Sequence, residues 1–157
     1  MEEHRKNICK VFRSEIYDFE VLKSLISNLK FLPMLALTDL DVYKLSEQIS
    51  DMIWKDNDSW PEKAKRTIRL QIIKAADSIS INIAEGYGRY TPLDRKNFYL
   101  YSRGSFEETK GWLRKAYRRN LISKERMKEY KDIIDQLGPK LNAFIAKTRK
   151  GNLKFEI

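Results

Sequence analysis

The 157-residue chain is long enough for one domain with a core, and its 34% charged and 42% apolar content excludes a disordered polymer. No apolar run approaches the roughly 18 residues needed to span a membrane. The net charge of +9 is concentrated: residues 1–61 hold 8 Lys/Arg against 11 Asp/Glu, and residues 62–157 hold 23 against 11. A basic half of that size suits a polyanionic partner such as nucleic acid, the plain alternative being a solvated lysine-rich surface.

In chain order, residues 1–36 read as an amphipathic helical extension, with Ile8, Phe12, Ile16, Phe19, Leu22 and Ile26 on one side and Pro33 ending it. The opening MEEHRKNICKVF has no apolar leader, and Cys9 is the only cysteine, so a cytoplasmic location without an intramolecular disulfide is expected. Residues 37–148 read as a bundle of four helices. The first carries Val42, Leu45, Ile49, Met52 and Ile53 at helical spacing. Ser59 with Glu62 suggests a capping box, with Pro61 in the first turn of the second helix. That helix extends to about Glu85, with Ile68, Ile72, Ala75, Ala76, Ile79 and Ile83 lining one face. Thr91, Pro92 and Asp94 open a third helix, which runs to about Asn120. A fourth starts near Ser123 and carries Met127, Tyr130, Ile133, Ile134, Leu137, Leu141, Phe144 and Ile145, with Gly138-Pro139 expected to kink or interrupt it. Residues 149–157 form a basic tail. No stretch alternates like a strand, so the expected fold is an all-α, antiparallel up-down four-helix bundle with an additional N-terminal helix.

The stretch EGYGR invites comparison with a phosphate-cradling loop. A dinucleotide site needs a preceding strand and a third glycine, and a P-loop needs its lysine followed by serine or threonine. Neither is present. Gly86 and Gly88 instead suit a helix exit through a positive φ, which makes this a helix–helix corner.

The motifs KRTIRLQIIKAADSISINIAEGYGR, DRKNFYLYSRGSFEE and LTDLDVYKLS, over about residues 37–148, carry a resemblance. The chain resembles the four-helix bundle family of 23S ribosomal RNA intervening-sequence proteins. Its Asn82, Glu85, Gly86, Gly88, Gly104 and Ser105 match the family's structural motif. The resemblance implies a ring-like homo-oligomer, a pentamer. A related set, the accessory variability proteins of diversity-generating retroelements, implies nucleic-acid binding and docking onto a reverse transcriptase. The N-terminal extension departs from the family, as does Ile81, where many members have proline.

The helix faces refine this. At about 100° per residue, Phe98, Tyr101, Ser105, Thr109, Trp112 and Ala116 fall together as the expected core face of the third helix. Lys96, Arg103, Lys110, Arg114 and Arg118 fall opposite, in a stripe about 30 Å long. With Arg69, Lys74, Arg89 and Arg95 they form the expected nucleic-acid-binding set, using backbone contacts to RNA or DNA. Tyrosines 87, 90, 99 and 117 lie among these cations, with packing their expected use ahead of base stacking. On the second helix Leu70, Ile73, Ile81 and Ala84, with Asp77 among them, form a second apolar side expected to be the oligomer interface. Gly104 and Ser105 are expected to let the second and third helices approach closely.

No catalytic residue, metal or cofactor is expected. His4 is the only histidine and there is no Cys/His set for zinc. Asp77, Glu85, Glu107 and Glu108 are expected in ion pairs with Arg89, Arg103 or Lys110 rather than in a nuclease-type cluster. The expectation is a non-enzymatic nucleic-acid-binding accessory protein. The alternatives are a protein–protein scaffold without nucleic-acid binding and, less favoured, an enzyme dependent on Glu85 or Glu108.

Overall fold

Helix periodicity in the sequence becomes four long helices in the computed structural model, which describes residues 37–149. The elements are α1 (Asp41–Asp56), a 3-10 turn (Asn57–Ser59), α2 (Glu62–Ala64), a π turn (Lys65–Arg69), α3 (Leu70–Tyr87), α4 (Pro92–Arg118) and α5 (Lys124–Arg149). No strand occurs among the described residues, and none of their helices is long and apolar enough to cross a membrane. The readings of residues 1–36, His4 and Cys9 included, and of the 149–157 tail lie outside the described residues, apart from the helical backbone of Arg149.

The helices close a four-sided bundle: α3 packs on α1 and α4, and α5 packs on α4 and α1. The core is the expected set on α3 and the turn before it (Ile68, Ile72, Ala75, Ala76, Ile79, Ile83), joined by Val42, Ile49 and Ile53 of α1 and Tyr130, Leu137 and Leu141 of α5. These residues recur every three or four positions, so each helix places one stripe inward and leaves its charges outside.

Three local expectations change. Ser59 forms no capping box: it sits in the 3-10 turn that prolongs α1, and its Oγ donates to Asp56 O at 2.9 Å. Pro61 takes the N-cap position instead, without a side-chain cap. Gly138-Pro139 does not interrupt α5, which is continuous through Pro139. A Cβ on Gly138 would stand 3.4 Å from the Phe106 ring, at the edge of ordinary contact, so this part of α5 lies against a core aromatic of α4.

The core face of α4 is Tyr99, Ser102, Phe106, Thr109, Leu113 and Ala116. It is turned by about 70° from the expected one. Thr109 and Ala116 are shared by both, but Phe98, Ser105 and Trp112 are only half-buried and Tyr101 is 60% exposed. The close approach of α3 and α4 is therefore not at Gly104-Ser105. Gly104 is exposed, and a Cβ added there would meet nothing within 4 Å. The Ser105 hydroxyl donates to Tyr101 O of its own helix. Ser102 makes the contact, donating to Ile79 O at 2.8 Å while fully buried. Gly86 makes the other, since a Cβ there would come within 2.5 Å of the Tyr99 ring.

Candidate nucleic-acid interface

The corner between α3 and α4 is built as a cap. Thr91 Oγ1 accepts from Asp94 N at 3.1 Å and donates to Asp94 Oδ2 at 2.6 Å, with Pro92 at the first helical position. This matches the expected N-terminal signature. The glycines do not leave α3 by a positive φ: Gly88 has φ −76°. The left-handed residue is Asn120, φ 56°, at the other end of α4. There Leu121 N donates to Ala116 O at 3.0 Å and Asn120 N to Tyr117 O at 3.0 Å. This 6→1 and 5→2 pair closes the helix in a Schellman motif, a role asparagine fills because it tolerates that conformation.

The predicted cations divide into two groups. Arg69, Arg89, Arg95 and Lys110 are engaged. Arg69 pairs with Asp58 at 3.3 Å, and Arg89 pairs with Glu85 and lies 4.6 Å over the Phe98 ring. Arg95 Nε donates to Arg89 O at 2.6 Å. Lys110 pairs with Glu107 at 2.7 Å and lies 4.9 Å over the Phe106 ring. Lys74, Lys96, Arg103, Arg114 and Arg118 have no acidic partner among the described residues; Lys96 is half-buried and the other four are exposed.

The stripe Lys96, Arg103, Lys110, Arg114 and Arg118 does not lie opposite the core. With the observed core face it stands about 100° round from it, on a shoulder of α4. Contacts fix which shoulder. Ser102 meets α3, whereas Phe106 meets Gly138 of α5, and Lys110 lies over Phe106. The stripe thus borders α5, while Lys74 belongs to α3 and Arg89 sits at the α3–α4 corner. The nine predicted residues are spread over the π turn, α3, its corner with α4, and α4 itself.

The predicted interface residues also separate. Leu70 and Ile81 are 73% and 60% exposed on the outer face of α3. Ile73 and Ala84 pack partly against the core. Asp77 is half-buried and accepts a hydrogen bond from Ser50 Oγ of α1, which makes it a tie within the chain. Asn82 donates its side-chain N–H to Ser78 O at 2.6 Å. The four acids are dispersed: Asp77 to Ser50, Glu85 to Arg89, Glu107 to Lys110, and Glu108 accepting from Trp112 Nε1 at 3.2 Å. No group of three His, Cys, Asp or Glu among the described residues is placed to hold a metal ion.

One cluster had no signal in the sequence. Asp56, at the end of α1, accepts from Arg126 Nε at 2.8 Å, Arg126 Nη2 at 2.9 Å and Tyr130 Oη at 2.6 Å. The bidentate carboxylate raises the Arg126 pKa. Burial, then the bond to Asp56, pushes the Tyr130 phenol up. Burial alone dominates at Tyr99, whose phenol is pushed up to about 12 and whose hydroxyl has no partner.

Residues 38–143 match the family model described as 23S rRNA-intervening sequence protein. The chain belongs to that family. The fold agrees with a crystal structure of a protein of unknown function from the S23 ribosomal protein family of Bacteroides thetaiotaomicron VPI-5482, at 21% identity and TM-score 0.62. The match covers 67% of this chain and 95% of that one. A comparison with curated proteins finds no match. The matched range includes Asn82 to Arg89, the end of α3 and its corner with α4, with Arg89 bound to Glu85 and Gly86 beneath Tyr99.

Proposed function

We propose that this family member is a non-enzymatic nucleic-acid-binding accessory protein that holds RNA or DNA by its backbone charge along α4. The observation that carries this is the row Lys96, Arg103, Arg114 and Arg118, none of which has an acidic partner among the described residues. A solvated helix back normally mixes signs and pairs them. The family's own description, which refers to 23S rRNA, supports a role near RNA. Binding follows salt steeply and reads sequence weakly, because phosphates carry no sequence information.

The chain acts as a homo-oligomer, a ring-like pentamer, joined through the outer face of α3, where Leu70 and Ile81 are exposed. In that form it docks a reverse transcriptase of a diversity-generating retroelement. The second reading is a protein–protein scaffold without nucleic-acid binding, favoured by the same apolar exposure together with Trp54, 56% exposed.

The deciding experiment is binding of structured RNA and duplex DNA at several salt concentrations by the native chain and by Lys96→Glu/Arg103→Glu/Lys110→Glu. The expected result is a steep salt slope, flattened in the variant, with a loss of about ten-fold or more at low salt. Equal binding by the variant, or none by the native chain, moves the assignment to the scaffold. Sedimentation of Leu70→Glu/Ile81→Glu tests the oligomer: the expected product is a folded monomer.

A further inference from the structure

At one end of the bundle the turn after α1 meets the α4–α5 corner. Four acids there are already held, Asp56 by Arg126 and Tyr130, Glu129 by the same Arg126, Asp58 by Arg69, and Glu62 by Lys65, which leaves Glu125 in the first turn of α5. Lys63, Arg118, Arg119 and Lys124 are exposed and have no acidic partner among the described residues. The charge left over is therefore positive.

Two hollows open on this end and share Leu121. The first, about 560 Å³, is lined by buried Ala64 and Ile68 and by Pro61 and Leu121, with Lys63 and Arg119 as its charged residues. The second, about 530 Å³, is bordered by Tyr117, Arg118 and Lys124. An apolar hollow with cations at its rim fits a flat apolar group that carries negative charge on its outer side. An unpaired nucleobase on its phosphodiester is such a group, whereas a duplex keeps its bases stacked inside. An acidic peptide satisfies the same cations but supplies no flat apolar body for the hollow.

We propose that this end captures unpaired bases of single-stranded nucleic acid. One base seats against Ile68 and Leu121, a neighbour stacks on Tyr117, and the phosphates pass Lys63, Arg119, Arg118 and Lys124. Arg118 is also the last cation of the α4 row, one helical turn (about 6 Å) beyond Arg114. A strand held along α4 therefore arrives at the hollow. This inference rests on the nucleic-acid reading above and adds to it a preference for single strands.

The test is fluorescence anisotropy of the full chain with labelled oligouridylate of roughly 12 nucleotides and with an RNA duplex of equal length. The variants are Lys63→Gln/Arg119→Gln and Tyr117→Ala, each checked by thermal melting. Tyr117→Ala leaves every charge in place, so a loss there reports stacking. The expected result is a loss of about ten-fold for the single strand in the double variant and about five-fold in Tyr117→Ala, with duplex binding changed less than about two-fold. Unchanged single-strand binding, equal losses on both nucleic acids, or competition by polyglutamate as strong as by unlabelled oligouridylate would overturn it. Loss of both ligands in the α4 triple variant, with single-strand binding intact in the end variants, overturns this inference alone. No binding by the native chain overturns the nucleic-acid reading with it.

Discussion

The chain turns twice around α4, at Gly88–Thr91 before it and at Arg119–Ser123 after it, and one arginine stands in each, Arg89 and Arg119. At the first, the side chains hold the turn: Arg89 is bound to Glu85 and covers Phe98, Arg95 donates to Arg89 O, and Gly86 admits the Tyr99 ring. At the second, the backbone closes the turn through Asn120, leaving Arg118 and Arg119 exposed. The stretch most recognisable in sequence uses its cations as architecture. Of the two turns, the one whose cations stand free to meet a ligand, Arg118 and Arg119, is the one no motif marks.

The largest expected effect breaks the first turn. Gly86→Val drives a side chain into Tyr99 and costs about 3 kcal/mol, read as a fall of roughly 10 °C in Tm. Gly88→Ala sharpens the contrast, because its Cβ would meet only ordinary contacts, 3.7 Å and 3.8 Å away. It should shift Tm by no more than about 2 °C.

Asp56→Ala comes next. It strips Arg126 and buried Tyr130 of their acceptor and should cost about 2 kcal/mol in urea unfolding, while α4 binding persists.

Alkaline stability separates the Tyr99 contribution. Its folded pKa of about 12 lies above the ordinary phenol value of 10.0, so its contribution is intact below pH 10 and fades as pH rises toward 12. The expected slope is about 1 kcal/mol per pH unit in that window. Tyr99→Phe, which loses a hydroxyl without a partner, should melt close to native at pH 7 and show a shallower alkaline fall.

The smallest effects compare surface positions. Arg89→Ala should cost about 0.5 kcal/mol and Arg119→Ala close to nothing in melting experiments. Gly104→Ala, at an exposed helix interior with open space around it, should stabilise by about 0.5–1 kcal/mol.

Helix number, the inward face of α3 and the Thr91 cap were all legible, because spacing and capping chemistry act locally. The phase of α4 was not. Phe98, Tyr99, Leu100 and Tyr101 are consecutive, so apolar character there runs right round the helix and periodicity cannot choose between Tyr99 and Tyr101. The neighbours chose, through Gly86 and Ile79. The same shift in phase moves the cationic stripe from opposite the core to beside α5. Asp56 and Tyr130 lie 74 residues apart, and nothing local in either stretch announces their bond.

The π turn at Lys65–Arg69 sets the winding between Lys63 and the rest of the rod. Such a turn holds one residue more than a regular helical turn. Deleting a single codon within it would restore a plain helix and leave Lys63 facing the hollow it shares with Arg119 and Leu121, because five residues wound as a π turn sweep about the same angle as four wound as a regular helix. One residue added to a plain helix there would instead swing everything upstream by about 100° relative to α3. The wide turn takes up an extra residue that a plain helix would pass on as a rotation, and so keeps the two sides of that hollow in register.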